Sequence, residues 1–332
     1  MEPGFLDLTL TWDGTQIVAA TVVSTRPVAA RALCGLPVAR VLELVPRLFA
    51  VCRQAQEAAA RLALRAALGS PMDSVELAEH ARRVAPEVAL EHLWRLLLDW
   101  PPLFGERSRN GEFLDWRKRI SAIADAGSAA SVGQALVAWV DAQPQPVFAE
   151  DPAAAPVALL PQLSAAQWAG RVAGDFCVER PTFAGRPAET GALARRFADP
   201  GVAAWLASGQ RVHARLAARL VDLRSLATDL AEPSRLPAQL DAATLAPGCG
   251  LARVETARGT LLHLVELDGQ RVVRYLLVAP TEWNFHPRGA FVRELEHRPA
   301  VSRDQAMLVA RRLALALDPC VPCEVRVNDA HD

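Results

Sequence analysis

The sequence predicts an α/β protein that is mainly helical, with a central helix bundle flanked by β-hairpins, and three observations carry that expectation. Residues 37–68 and 199–230 both repeat Ala, Leu, Val and Arg at helical period. Residues 5–23 alternate around Asp13-Gly14, and residues 259–278 do so around Asp268-Gly269, each the pattern of a tight hairpin. With 332 residues, 51% of them hydrophobic and 22% charged, the chain can bury a sizeable core and is neither a disordered segment nor a membrane span.

Taken in order, strands are expected at 5–10 and 16–23, followed by a long helix over 37–68 that Gly69-Ser70-Pro71 stops. Further helices are expected at 74–84, 86–99, 113–124 and 131–141. Residues 142–163 carry Pro144, Pro146, Pro152, Pro156 and Pro161, which suits a linker or extended crossover inside a single unit spanning 1–332. The second long helix at 199–230 completes the bundle. Strands 259–267 and 271–278 follow, then a helix over 302–317 that runs straight into Asp318-Pro319-Cys320.

Lys and Arg number 36 against 37 Asp and Glu, a net charge of -1, so no basic face is expected for a phosphate backbone and nucleic acid is not an expected partner. The apolar run 38–51 is broken by Arg40, Glu43 and Arg47, so no membrane partner is expected either. Met1-Glu2-Pro3-Gly4 has no charged leader, which predicts a cytoplasmic location where thiols stay reduced.

The six cysteines are the residues to explain. Cys320-Val321-Pro322-Cys323 is the single CxxC, and alone it reads as a redox dithiol, half of a zinc site, or two thiolates for another metal. A zinc ribbon needs a second ligand pair at comparable spacing, which the sequence lacks, although Cys249, His297 or His331 could complete a site in space. Cys34 precedes the predicted long helix, where the positive end of the dipole favours a thiolate; a buried packing role is the other reading. Cys52 and Cys177 are expected to pack in the core, and Cys249 to sit in a loop.

Four ordered segments together resemble the large subunit of nickel-iron hydrogenases. Arg180-Pro181-Thr182-Phe183-Ala184-Gly185-Arg186-Pro187-Ala188-Glu189-Thr190-Gly191-Ala192-Leu193-Ala194-Arg195 is similar to that family's Pro-Arg-Tyr-x-Gly-x-Pro-x-Glu-x-Gly-Pro-Leu-Ala-Arg. Glu255-Thr256-Ala257-Arg258-Gly259-Thr260-Leu261-Leu262-His263 resembles Glu-Ala-Pro-Arg-Gly-x-Leu-x-His. Ala279-Pro280-Thr281-Glu282-Trp283-Asn284 resembles Val-Pro-Thr-Thr-Trp-Asn, and Asp318-Pro319-Cys320-Val321-Pro322-Cys323 resembles Asp-Pro-Cys-x-x-Cys. In the N-terminal half the likeness rests on the opening hairpin and on Arg31-Ala32-Leu33-Cys34-Gly35.

The chain also departs from that pattern. Matched at Cys34, the family's Arg-x-Cys-Gly-x-Cys and following His meet Pro37 and Val41. Arg326 occupies the place of the His after which a tail is removed, so no processing is expected. The Arg-x-Glu-Gly-His entry motif is missing from the first strand. This combination resembles the large-subunit-like hydrogenase expression/formation proteins and implies a hydrogenase large-subunit-like fold in a truncated, non-catalytic paralogue. It implies an assembly chaperone or scaffold that transiently holds iron carrying two cyanides and one carbonyl, with no nickel. Maturation factors that deliver the iron fragment and the large-subunit precursor are the implied partners. Cys320, Cys323 and Cys34 are the implied iron ligands, because low-spin iron with such ligands prefers soft thiolates. Arg258, Thr281 and Pro280 are the implied contacts of the diatomic ligands, the first two as hydrogen-bond donors. The alternatives are a metal-free interaction protein that mimics the large subunit, and an enzyme, either a minimal hydrogenase or a thiol oxidoreductase.

Overall fold

The structure, a computed structural model, describes residues 4–49, 51–144, 148–153, 155–172, 177–232 and 239–330. The predicted first hairpin forms: β1 (Leu6–Trp12) and β2 (Ile17–Ser24) pair antiparallel. The Asp13 side chain accepts from the backbone N–H groups of Thr15 and Gln16 and so closes the turn.

The helix expected over 37–68 is two helices, α1 (Val38–Leu48) and α2 (Arg53–Ala67). They break where Cys52 takes a left-handed backbone, φ 57°. The N-terminus of α2 has no cap from its own segment. Glu87 supplies one from α3 (Ser74–Trp94), accepting from the N–H groups of Gln54 and Ala55 at 2.8 and 3.0 Å. The helices expected at 74–84 and 86–99 are likewise one, α3, which runs through Pro86 behind an Asp73–Glu76 capping box and ends in a π turn at Arg95–Asp99. Then come α4 (Trp100–Leu103), α5 (Asn110–Ser121) and α6 (Ala126–Asp141).

The proline-rich span contains one short strand, β3 (Ala158–Leu159), parallel to β4 (Ala188–Glu189), with α7 (Ala165–Ala169) between them; residues 145–147 and 154 of that span lie outside the described residues. Next are α8 (Ala192–Arg196), α9 (Pro200–Ala207) and α10 (Arg211–Ala231), so the second long helix is also divided, at Ser208–Gln210.

The predicted second hairpin is the outer half of a four-stranded antiparallel meander: β5 (Leu240–Ala246), β6 (Cys249–Thr256), β7 (Gly259–Asp268) and β8 (Arg271–Val278). Cys249 therefore opens a strand. The chain closes with α11 (Pro280–Asn284), α12 (Ala290–Leu295), α13 (Arg303–Ala316) and β9 (Cys323–Asp329). Strand β9 lies parallel to β1, with Leu6 opposite Cys323, a long-range pairing that no local pattern announces.

The two long helices do not form a bundle with each other. Helix α2 lies on the meander, where a Cβ on Gly250 would meet the Ala63 carbonyl oxygen at 2.2 Å. The buried face of α2, Ala55, Ala59, Ala63 and Ala66, is small enough for that approach. Helix α10 packs instead on α6, α8 and α9. One core, with Leu62, Leu93, Leu136, Leu223, Val254 and Val265, fills the space between sheet and helices; a second, with Leu8, Leu10, Ile17, Phe291 and Leu313, lies under the first hairpin. Among the described residues no helix is long and apolar enough to cross a membrane.

Candidate functional site

The four motif segments converge, and Asn284 joins them. Its Oδ1 accepts from the backbone N–H of Thr190 at 2.9 Å, and its Nδ2 donates to the carbonyls of Arg258 and Leu317. One buried carboxamide thus ties the 180–195 segment, the β6–β7 turn, α11 and the end of α13. Gly259, at φ 132°, completes the fit, because a Cβ there would lie 2.5 Å from the Thr190 side chain.

At this junction Arg258 projects from the β6–β7 turn, only 4% exposed. Its Nη1 donates to Cys52 Sγ at 3.0 Å, its Nη2 to Glu91 Oε2 at 2.6 Å, and its Nε faces Asp318 at 3.5 Å. Asp318 also receives Arg95 at 2.7 Å and Arg219 at 2.9 Å. Burial alone would raise its carboxyl, but these cations hold it far below the usual carboxylate range. Arg95 donates as well to the Pro319 carbonyl, and Leu6 N–H to the Pro322 carbonyl, so the CxxC turn is fastened at both ends.

Thr281, 1% exposed on α11, donates its hydroxyl to Cys320 Sγ at 3.0 Å and accepts from the Cys320 N–H at 3.3 Å. Cys52 and Cys320 line one cavity of about 460 Å³ with Gln56, Arg258 and Pro280. Desolvation pushes the Cys52 thiol up to about 12, against the pull of Arg258.

The sequence-predicted residues divide accordingly. Arg258, Thr281, Pro280 and Cys320 meet. Cys34 does not join them: it follows a short 3-10 turn, Ala29–Leu33, at that turn's C-terminal end, and is exposed. Its expected position at a helix N-terminus belongs to Pro37, which caps α1. Cys323 is exposed at the start of β9 and is not among the residues that line the cavity. Among the described residues no three His, Cys, Asp or Glu side chains come together to hold a metal ion, so Cys34, Cys320 and Cys323 do not form a three-thiolate set. Cys177 is exposed rather than packed, His297 is exposed, and His331 lies outside the described residues. The cysteine that shares the cavity with Cys320 is Cys52, which helical periodicity assigns to a core face.

The family profile for nickel-dependent hydrogenases matches residues 202–326. The hydrogenase expression/formation protein HupK of Rhizobium leguminosarum bv. viciae is 31% identical over 99% of this chain and 98% of its own length, and HoxV of Cupriavidus necator is 33% identical over 93% of each. The chain belongs to the hydrogenase expression/formation protein family. Its fold is that of the hydrogenase large subunit: the [NiFeSe] hydrogenase of Desulfovibrio vulgaris Hildenborough superposes with a TM-score of 0.68 at 15% identity, covering 92% of this chain and 93% of that one. The Desulfomicrobium baculatum enzyme gives 0.69 at 13%, covering 94% and 95%.

Cys52, not Cys34, lines the cavity, and the sequence around it also resembles the first motif. Arg47-Leu48-Phe49-Ala50-Val51-Cys52 places Arg and the second Cys of Arg-x-Cys-Gly-x-Cys at Arg47 and Cys52, with Phe49 at the first cysteine. The histidine four residues on is then Gln56. The signal in the sequence was this Arg-to-Cys spacing, obscured by Phe49 and by the nearer Cys34-Gly35.

Proposed function

We propose that the chain acts in hydrogenase maturation as a non-catalytic scaffold that holds an iron fragment with two cyanides and one carbonyl between Cys52 and Cys320, and passes it to the large-subunit precursor. Maturation factors that carry the fragment are its donors in this reading. The observation that supports it is the pairing of two thiols across one cavity, each sulfur already facing a hydrogen-bond donor, Arg258 for Cys52 and Thr281 for Cys320.

The residues suit such a cargo. Thiolate sulfur is a soft ligand for low-spin iron. A fixed guanidinium and a buried hydroxyl are donors suited to the nitrogen end of a bound cyanide. Phe49 puts carbon where a further thiolate would stand, which leaves two sulfurs rather than the set nickel requires.

Release is favoured by the same arrangement. A thiol that burial holds protonated makes iron compete with a proton at neutral pH, which weakens its hold on the fragment. When the fragment leaves, Cys52 is reprotonated and returns to a neutral state beside Arg258.

The test is anaerobic infrared spectroscopy of the protein isolated from hydrogenase-producing cells. The expected spectrum has two C≡N bands and one C≡O band that disappear on incubation with the large-subunit precursor. A protein that supports maturation yet never carries these bands would overturn the scaffold reading in favour of a metal-free partner of the maturation factors.

A further inference from the structure

Gln56 sits one turn into α2 from Cys52, is 6% exposed and lines the cavity. Its Oε1 is 2.9 Å from His263 Nε2, and His263 Nδ1 is 2.7 Å from the Tyr275 hydroxyl. His263 is 0% and Tyr275 3% exposed. A protonated imidazole is strongly disfavoured there, burial lowering the His263 pKa to about 3.

In a neutral ring one nitrogen donates and the other accepts, and the direction of this chain follows from satisfying each buried group. Among the described residues His263 is the one hydrogen-bond partner of the Tyr275 hydroxyl. If Nδ1 carried the proton, the buried hydroxyl would accept it and its own hydrogen would have nowhere to go. With the proton on Nε2, Tyr275 donates to Nδ1 and Nε2–H donates to Gln56 Oε1. Every member is then used, and the Gln56 carboxamide is locked with its oxygen inward. Its nitrogen has no hydrogen-bond partner among the described residues.

We infer that Gln56 is a hydrogen-bond donor of the cavity beside Arg258, its carboxamide NH2 directed at an acceptor atom of the bound fragment, with Tyr275 and His263 as positioning residues that prevent the amide from flipping. The inference rests on the scaffold reading above. Two donors, Arg258 and Gln56, then line the cavity with the two sulfurs, and Thr281 donates to Cys320 from outside it, a set suited to a soft metal whose own ligands end in electron-rich atoms. Cations with only water as ligands gain nothing from such donors.

Infrared spectra of loaded wild type, Gln56→Met and Tyr275→Phe test this. Methionine keeps the length and volume of the side chain and removes the NH2, and one C≡N band is expected to move to lower wavenumber. Tyr275→Phe retains Gln56 but frees the His263 tautomer, and the same band is expected to broaden or split as the amide takes both orientations. A Gln56→Met spectrum superimposable on a wild-type spectrum that does carry the bands would overturn the role of Gln56 while leaving the scaffold reading intact. A shifted Gln56→Met band with an unchanged Tyr275→Phe spectrum would overturn the relay. Wild-type protein without bands would remove the scaffold reading and this inference with it.

Discussion

Arg258 Nη1 donates to Cys52 Sγ at 3.0 Å across a sequence separation of 206 residues, joining the turn of a β-hairpin to the broken start of a helix. This contact defines the cavity. It presents a cation to a thiol whose burial still wins, so the pair rests as guanidinium and thiol rather than as an ion pair.

A slow alkylation rate at Cys52 follows. With its pKa raised from 9.0 to about 12, its thiolate fraction at pH 8 falls about a thousandfold below that of a free peptide thiol. Timed alkylation read by peptide mass spectrometry should show Cys52 modified on the order of a thousandfold more slowly than such a standard, and more slowly again in Arg258→Gln.

Asp318→Asn should be strongly destabilising. It removes the one carboxylate that faces Arg95, Arg219 and Arg258 in the interior and leaves three guanidiniums without it, at a cost of about 3–5 kcal/mol in denaturant unfolding. The sign with pH is fixed by the depressed pKa. The stabilisation is fully present above the unfolded value of 3.8 and is lost as pH falls below it toward the folded one.

Glu87→Ala tests the borrowed cap. Two N–H groups at the start of α2 lose their acceptor, and urea unfolding should report about 1–2 kcal/mol of lost stability. Because the Glu87 charge also helps to raise the Cys52 thiol, its removal should lower that pKa, and Cys52 should alkylate faster than in the wild type.

His263 predicts a second pH effect, of distinguishable origin. Its folded pKa is lowered from 6.5 to about 3, so between those values the unfolded chain binds a proton that the folded chain refuses. Stability then falls as pH drops through that window, by about 1.4 kcal/mol per unit for this one group. In His263→Gln the stability-against-pH curve from pH 6 to 4 should be shallower by about that slope.

Much of the fold was legible because its signals are local. Asp13-Gly14 and Asp268-Gly269 marked both hairpins, and Ser302 marked the start of α13. What escaped was set by distant partners. The Ala/Leu/Arg periodicity of 37–68 continues through the break at Cys52, since the backbone turn is imposed by Glu87 and Arg258 from elsewhere in the chain. Strand β9 could not be read because it pairs with β1 from the opposite end of the sequence. At the site, Arg258, Thr281, Pro280 and Cys320 were carried by motifs, whereas Cys34 matched a Cys-Gly dipeptide that ends a 3-10 turn ahead of the helix N-terminus, whose cap position Pro37 holds. The hydrogen-bond chain that orients Gln56 could not be read locally, because it runs through Tyr275 and His263, more than two hundred residues away.

The most direct measurement is the anaerobic infrared spectrum of Cys52→Ser compared with Cys34→Ala, both isolated from hydrogenase-producing cells alongside the wild type. Cys34→Ala should keep the C≡N and C≡O bands at full intensity and Cys52→Ser should lose them. Bands that persist in Cys52→Ser, or that vanish in Cys34→Ala, would contradict a site built on Cys52 and Cys320.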